Sequence, residues 1–216
     1  MKNSLKMMLV VGAVVAWFGL ALQLAVSVNL LAPQGMDAWQ TLSRMLAYFT
    51  ILTNLIVAGY YTIRLLQPNS GDGTSLAQPA VGSAIAMYVT LVCVIVHLIL
   101  RHLQVLTSNA LIADTILHYV TPILFVIFWI GWVPKRRLQW RHALWWSLYP
   151  LAYFVYAMVR GAASDFYPYP FIDVAKLGFR RVAINAVLIS AAFFVAGLAL
   201  IALDRAWPFG GARRLN

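Results

Sequence analysis

Residues 80–100 read AVGSAIAMYVTLVCVIVHLIL and contain no Asp, Glu, Lys or Arg. A bilayer core about 30 Å thick is crossed by about 20 apolar residues of α-helix, because each residue rises about 1.5 Å. This run therefore has the length and the composition of one membrane-spanning helix. Its apolar residues surround the whole helix instead of lining one face, which is typical of a helix with lipid as its outer solvent.

Five other stretches of the chain share this pattern, and we predict six spans. Their approximate bounds are 7–28, 45–66, 80–100, 111–133, 143–160 and 181–203. Pro150 interrupts the fifth, where neighbouring helices can satisfy the backbone group that the proline leaves unpaired. The first follows Lys2 and Lys6 as a signal peptide would. Its apolar run exceeds the about 7–15 residues of a signal-peptide core, so we expect it to remain a span.

The composition of the whole chain agrees with a membrane bundle. Hydrophobic residues make up 62% and charged residues only 10%, against about 25% charged in soluble domains. The net charge of +10 does not indicate nucleic-acid binding, since the basic residues sit at predicted helix ends. We predict a single all-α domain over residues 1–216. Ten of the 16 Lys and Arg residues fall on the side that holds both termini, which predicts that both termini are cytoplasmic.

Polar residues of the predicted spans collect at one depth. Thr50 lies about 9 Å into span two and His118 about 10 Å into span four, counted by helix rise, and both spans begin on the outer side. Polar side chains inside a membrane are costly and usually face the bundle interior. The outer half of the predicted bundle holds a set that the inner half lacks: Thr50, Asn54, His97, Asp114, His118, Tyr156 and Asn185.

Two spacings in this set point to acyl-transfer chemistry. Asp114 and His118 are four residues apart, so that the carboxylate can fix the tautomer of His118 as a general base. Thr50 and Asn54 are also four apart, which places an amide donor one turn from a hydroxyl. A hydroxyl, a base, an orienting group and an amide donor are the components of an acyl-transfer site. The alternative for a lone threonine is a hydrogen bond to its own helix.

Two other functions fit the same residues. His97 and His118, at similar depth on neighbouring spans, have the arrangement of two axial haem ligands in an electron carrier. A non-catalytic protein that binds lipid or a small molecule would use the same outer cavity. For the hydrolase we expect no cofactor and no metal.

The second span contains Tyr48-Phe49-Thr50-Ile51-Leu52-Thr53-Asn54, the fourth contains Leu117-His118-Tyr119-Val120-Thr121-Pro122, and an outer loop contains Tyr169-Pro170-Phe171-Ile172-Asp173. In order and spacing these segments resemble three motifs of the androgen-induced-gene family, six-pass membrane proteins whose members are threonine hydrolases of fatty acid esters of hydroxy fatty acids. Asp173 stands where the family's motif has glutamate. The chain is still more similar to the uncharacterised bacterial branch of that group.

The resemblance implies that Thr50 is the nucleophile and His118 its partner, with membrane lipids and a fatty-acyl ester as the molecules bound. It also implies a multi-pass protein of the bacterial inner membrane. Around the catalytic residues Thr50, His118 and Asp114, we expect a substrate site. Its predicted members are Asn54, His97, Asn185, Tyr156 and Asp173.

Overall fold

The structure is a computed structural model that describes residues 3–67, 78–101, 106 and 108–208. The described residues form helices and no strands. The α-helices are α1 (Asn3–Leu31), α2 (Ala38–Leu46), α3 (Phe49–Leu66), α4 (Pro79–Ile95), α5 (Ser108–Thr115), α6 (Thr121–Trp132), α7 (His142–Ser164), α8 (Val174–Leu177) and α9 (Phe179–Arg205). A π-helical turn, Val96–Leu100, extends α4, and a second, Ile116–Val120, joins α5 to α6.

Five helical segments of the described chain are long and apolar enough to cross a membrane. They are Asn3–Gln34, Phe49–Leu66, Pro79–Leu100, Ser108–Trp132 and Phe179–Arg205. Each overlaps a span predicted from the sequence. The chain is therefore a helical protein with the character of an integral membrane protein.

The predicted fifth span falls within α7, a helix of 23 residues that is not among these five. Its length is sufficient, but Pro150 lies inside it and Trp145, Ser147 and Tyr149 lower its apolar character. The six-span topology and the position of the termini accordingly stay predictions.

The start of the second span differs from the predicted position 45. Tyr48 has an extended backbone (φ −87°, ψ 130°), so the helical conformation is interrupted there and α3 begins at Phe49. The preceding residues form α2, whose first turn is capped by reciprocal hydrogen bonds between Asp37 and Gln40. Thr50 thus lies in the first turn of α3 and not six residues into a continuous span.

The sequence predicts one domain, and the fold contains two compact units, Met1–Val133 and Pro134–Asn216. In the first unit α1 packs along α3 and also against the segment that carries His118. Gly12 of α1 lies against the Tyr61 ring, and Gly19 lies against the Ile116 side chain, at distances that leave no room for a Cβ. Close approach through small residues is how helices pack in lipid.

An aromatic core holds α3 and α6 together in the same unit. Tyr60 and Tyr61 of α3 pack against Phe125 and Phe128 of α6, with ring centroids 5.3–5.9 Å apart. These mostly edge-on or tilted contacts are the favoured geometry of aromatic pairs. They align α3, which carries Thr50 in its first turn, with α6, which directly follows the π-helical turn that carries His118.

Candidate active site

Thr50 and His118 meet within the first unit. The Thr50 Oγ1 atom lies 3.3 Å from Nε2 of His118. Only 6% of Thr50 is exposed, and 17% of the His118 side chain. The predicted proximity of these two residues is confirmed, and the distance is that of a long hydrogen bond, as is common in unliganded sites.

Asp114 fixes the orientation and the tautomer of the histidine. Its Oδ1 atom lies 2.7 Å from Nδ1 of His118, and its backbone oxygen lies 3.1 Å from the same nitrogen. A carbonyl oxygen can only accept a hydrogen bond, and the same is true of a carboxylate oxygen in its ionised form. Nδ1 therefore carries a proton, and in the neutral imidazole Nε2 then has a lone pair that faces the Thr50 hydroxyl. The predicted contact between Asp114 and His118 is confirmed, and 26% of the Asp114 side chain is exposed.

A π-helical turn carries His118, and Pro122 explains it. Proline has no N–H, so Pro122 cannot donate to the carbonyl of His118, its acceptor in a regular α-helix. In this turn the N–H of Thr121 donates to the carbonyl of Ile116, five residues back instead of four. The carbonyl of Leu117 consequently loses its helical partner. Single π-turns of this kind occur frequently at functional sites.

Asn54 supplies the partner that Leu117 lacks. Its Nδ2 atom donates to the Leu117 carbonyl (3.2 Å) and to the Thr50 carbonyl (2.9 Å). Asn54 is fully buried, and its Oδ1 atom has no protein hydrogen bond. The amide thus joins the backbone of the threonine to the backbone of the residue before His118. In this arrangement both of its N–H groups are occupied, which leaves none to bind a substrate oxyanion, the role expected from the sequence.

The position of Thr50 in the first turn of α3 has an electrostatic consequence. The N-terminus of an 18-residue helix carries the positive end of its dipole. Negative charge on an oxygen bonded to, or adjacent to, Thr50 is stabilised there. This effect was not predicted, because the sequence placed Thr50 deeper in the span.

His97 lies near the pair but does not contact it directly. It occupies the other π-helical turn, and its Nδ1 atom is 3.4 Å from the Tyr119 hydroxyl, with the two rings edge-on. Tyr119 follows His118 in the chain, and its position in the fourth-span motif did not indicate this contact with His97. Both ring nitrogens of His118 are directed at protein groups, so His118 would have to release one of them to bind a haem iron.

The other three predicted site residues belong to the second unit. Asp173 caps α8 by accepting from the Lys176 N–H (3.2 Å) and pairs with the Lys176 ammonium (3.1 Å). Burial acts to raise the pKa of Asp173, but the hydrogen bonds and charge of Lys176 outweigh it and lower the pKa. Asn185 donates to the carbonyl of Phe171 (2.8 Å) and fastens that segment to α9. Tyr156 is exposed and packs against Tyr153. These contacts are structural, and a role of the three residues in substrate binding stays a prediction.

Comparison with known proteins adds no family. The chain matches no family model, no curated protein and no solved structure. The candidate site therefore rests on its own geometry.

Proposed function

We propose that this chain hydrolyses fatty-acyl esters of membrane lipids, with Thr50 as the nucleophile, His118 as the general base and Asp114 as the group that orients it. The observation that carries the proposal is the arrangement of the imidazole. Its Nδ1 is held by two acceptors of Asp114, and its Nε2 faces the Thr50 hydroxyl. A threonine hydroxyl is a weak nucleophile at neutral pH and needs an adjacent base of this kind.

In the first half of the reaction, Thr50 Oγ1 attacks the ester carbonyl carbon while its proton passes to Nε2 of His118. The resulting imidazolium is stabilised by the Asp114 carboxylate. The carbon–oxygen bond to the alcohol then breaks, and Nε2 returns the proton to the leaving oxygen. An alcohol departs, and the acyl group remains esterified to Thr50.

In the second half, water attacks the acyl-threonine and gives a proton to the same nitrogen. The bond to Oγ1 breaks, Oγ1 recovers the proton, and a fatty acid is released. In both halves, the negative charge that develops on the carbonyl oxygen lies close to the N-terminus of α3. The helix dipole favours that charge and supplies part of what an oxyanion hole provides.

A site at the start of two membrane-spanning segments suits a lipid ester. Asp114 lies six residues after the first residue of Ser108–Trp132, or about 9 Å along the helix. Ester groups of lipids lie at the boundary between the headgroups and the hydrocarbon core, where water also penetrates. We place the protein in the bacterial inner membrane, with α7 as a sixth span and both termini in the cytoplasm.

Covalent labelling with a fluorophosphonate tests the proposal, because this reagent phosphorylates activated hydroxyl groups. We expect the full chain in detergent to carry one adduct, on Thr50, and to hydrolyse a fatty-acyl ester. Thr50→Ala and His118→Ala should each reduce both signals at least about 100-fold, the usual scale of a lost general base.

The matched control is Thr90→Ala. Thr90 is a threonine of α4 whose hydroxyl donates to the carbonyl of Ala86 on its own helix (2.7 Å). This variant should label and turn over as the wild type does. An adduct on another residue, or full activity of Thr50→Ala, contradicts the mechanism. Intact lipid bound by an unreactive Thr50 would support the non-catalytic lipid binder instead.

A further inference from the structure

A buried carboxylate at the end of α9 fixes a basic loop in the second unit. Asp204 is fully buried, and its Oδ2 atom accepts hydrogen bonds from the backbone N–H groups of Arg137 and Leu138, both at 3.1 Å. A carboxylate near a helix C-terminus is opposed by the helix dipole. Its two bonds to the loop, together with the cations around it, offset that cost. The loop between α6 and α7 is consequently held against the end of α9.

Contacts between cations and indole rings reinforce this attachment. The Lys135 ammonium lies 5.4 Å from the centre of the Trp207 ring, and the Arg205 guanidinium lies 5.5 Å from that of Trp140. Arg136 donates through Nε to the carbonyl of Trp207 (3.2 Å). Lysine and arginine are attracted to indole faces at such distances. The loop between α6 and α7 is thus attached to the C-terminal end of α9 by several contacts.

The resulting surface is strongly cationic. We call it the basic surface, and it consists of Lys135, Arg136, Arg137, Trp140, Arg141, Arg205 and Trp207. It carries five cations, and the carboxylate of Asp204, which lies beneath it, is buried. The side chains of Arg137 and Arg141 are exposed on it. The N-terminus of α7, which begins directly after Arg141, adds the positive end of a helix dipole.

The place of the basic surface along the chain sets its environment. Segment Phe179–Arg205 is long and apolar enough to cross the membrane, so its last residue lies at a membrane–water interface. Trp140 is half exposed there, and indole rings favour that depth. We therefore expect lipid headgroups to be the groups within reach of Arg137 and Arg141.

We propose that the basic surface is a binding site for the headgroup of an anionic phospholipid, with the phosphate bound by Arg137 and Arg141. Guanidinium groups bind phosphate oxygens through paired, charge-assisted hydrogen bonds. A zwitterionic headgroup brings its own cation and gains less from this surface. The inference does not depend on the hydrolytic activity, since it involves none of the residues of the candidate active site.

Native mass spectrometry of the detergent-purified full chain, titrated with phosphatidylglycerol or phosphatidylcholine, tests the site. We expect the wild type to retain phosphatidylglycerol in preference. The double variant Arg137→Gln/Arg141→Gln should weaken that retention about 30-fold, from about fivefold for each basic residue near a lipid surface. The matched control is Arg180→Gln/Arg181→Gln, which removes the same charge from exposed arginines in the first turn of α9.

Equal losses in the two double variants would reduce the effect to overall charge and overturn the proposal. So would equal retention of the two lipids by the wild type. Competition by inorganic phosphate as effective as that by the lipid would replace the lipid site with a site for free phosphate.

Asp204→Ala separates a structured site from charge alone. The variant keeps all five cations and makes the surface more positive, so charge alone predicts tighter binding of phosphatidylglycerol. If the loop must be held in place, binding weakens instead, and Asp204→Asn, which keeps an accepting oxygen, restores it. Tighter binding by Asp204→Ala would contradict the proposal, and the arginine variants decide the matter if this variant does not fold.

Discussion

At the scale of single residues, Asn54 joins the two halves of the candidate active site. One amide nitrogen donates to the carbonyls of Thr50 and Leu117, and thereby sets the distance between the nucleophile and the turn that carries the base. Burial makes this connection costly to lose, since a buried carbonyl without a partner costs about 1–3 kcal/mol. Asn54 is thus a positioning residue and does not need to touch the substrate.

Asn54→Ala should lower both stability and reactivity. We expect a lower unfolding temperature in detergent and fluorophosphonate labelling of Thr50 slowed at least about tenfold, because displacement of a reacting group by about 1 Å costs up to about 100-fold. Ser83→Ala is the matched control. It removes another buried hydrogen bond of the same unit, the one that Ser83 accepts from Trp129 (2.8 Å). For Ser83→Ala we expect comparable destabilisation with normal labelling of Thr50. Slowed labelling in both variants would mean that Asn54 affects reactivity only through the stability of the unit.

Lys135 makes the stability of the second unit depend on pH. Burial lowers the pKa of this lysine from 10.5 to about 8, although the charge of Asp204 acts in the opposite direction. Between these two pH values the unfolded chain holds a proton that the folded chain has released. Stability should therefore rise as pH increases from about 8 towards 10.5, and the cost of the buried charge is fully present below 8.

The comparison with Lys135→Met isolates this effect from other titrating groups. Thermal unfolding in detergent should show the stability of the wild type approaching that of the variant as pH rises through this range. A difference between the two proteins that is constant with pH would show that Lys135 keeps an ordinary pKa.

At the scale of elements, apolar composition predicted the helices well but not their irregularities. Burial in lipid demands long apolar runs, so five of the predicted spans overlap the observed segments. The break at Tyr48 and the π-turn at Ile116–Val120 depend on packing, and no periodicity indicates them. The sequence signal for this π-turn is Pro122, because a proline four residues after His118 removes the hydrogen-bond donor of that residue's carbonyl.

In the candidate site, too, the sequence did not predict the contacts that depend on packing. The spacing of Asp114 and His118 predicted their contact, because residues four apart share a helix face. Depth matching brought Thr50 to His118 but indicated no protein partner for Asn54. Its actual acceptor, the Leu117 carbonyl, is available only because the π-turn leaves it unpaired. Tyr119 was missed for a similar reason, since its contact with His97 joins two π-turns.

Pro122→Ala tests the π-turn as an element. Alanine restores an N–H at position 122, so the segment can return to α-helical hydrogen bonding, in which Thr121 donates to Leu117. That carbonyl would then no longer need Asn54, and the direction of His118 would change. We expect labelling of Thr50 to fall at least about tenfold while helix content and thermal stability are kept or increased. Unchanged labelling would show that the proline does not set the position of His118.

At the scale of the whole molecule, α7 decides the topology. If α7 crosses the membrane there are six spans and both ends of the chain share one side. If it lies along one surface, the five apolar segments place the two ends on opposite sides. Arg141 and Asp165 flank α7, and both are exposed. They are therefore suitable positions for a chemical probe.

Single-cysteine variants Arg141→Cys and Asp165→Cys, each combined with Cys93→Ser to remove the native cysteine, measure which side each end of α7 occupies. With six spans, a maleimide that does not cross membranes should label position 165 in intact cells and position 141 only after permeabilisation. Ala38→Cys and Gln67→Cys, which lie before and after α3, are the control pair, because α3 is among the segments able to cross. They should show the same opposite behaviour. If positions 141 and 165 label alike while the control pair differs, α7 does not cross, and the basic surface and Asp165 face the same compartment.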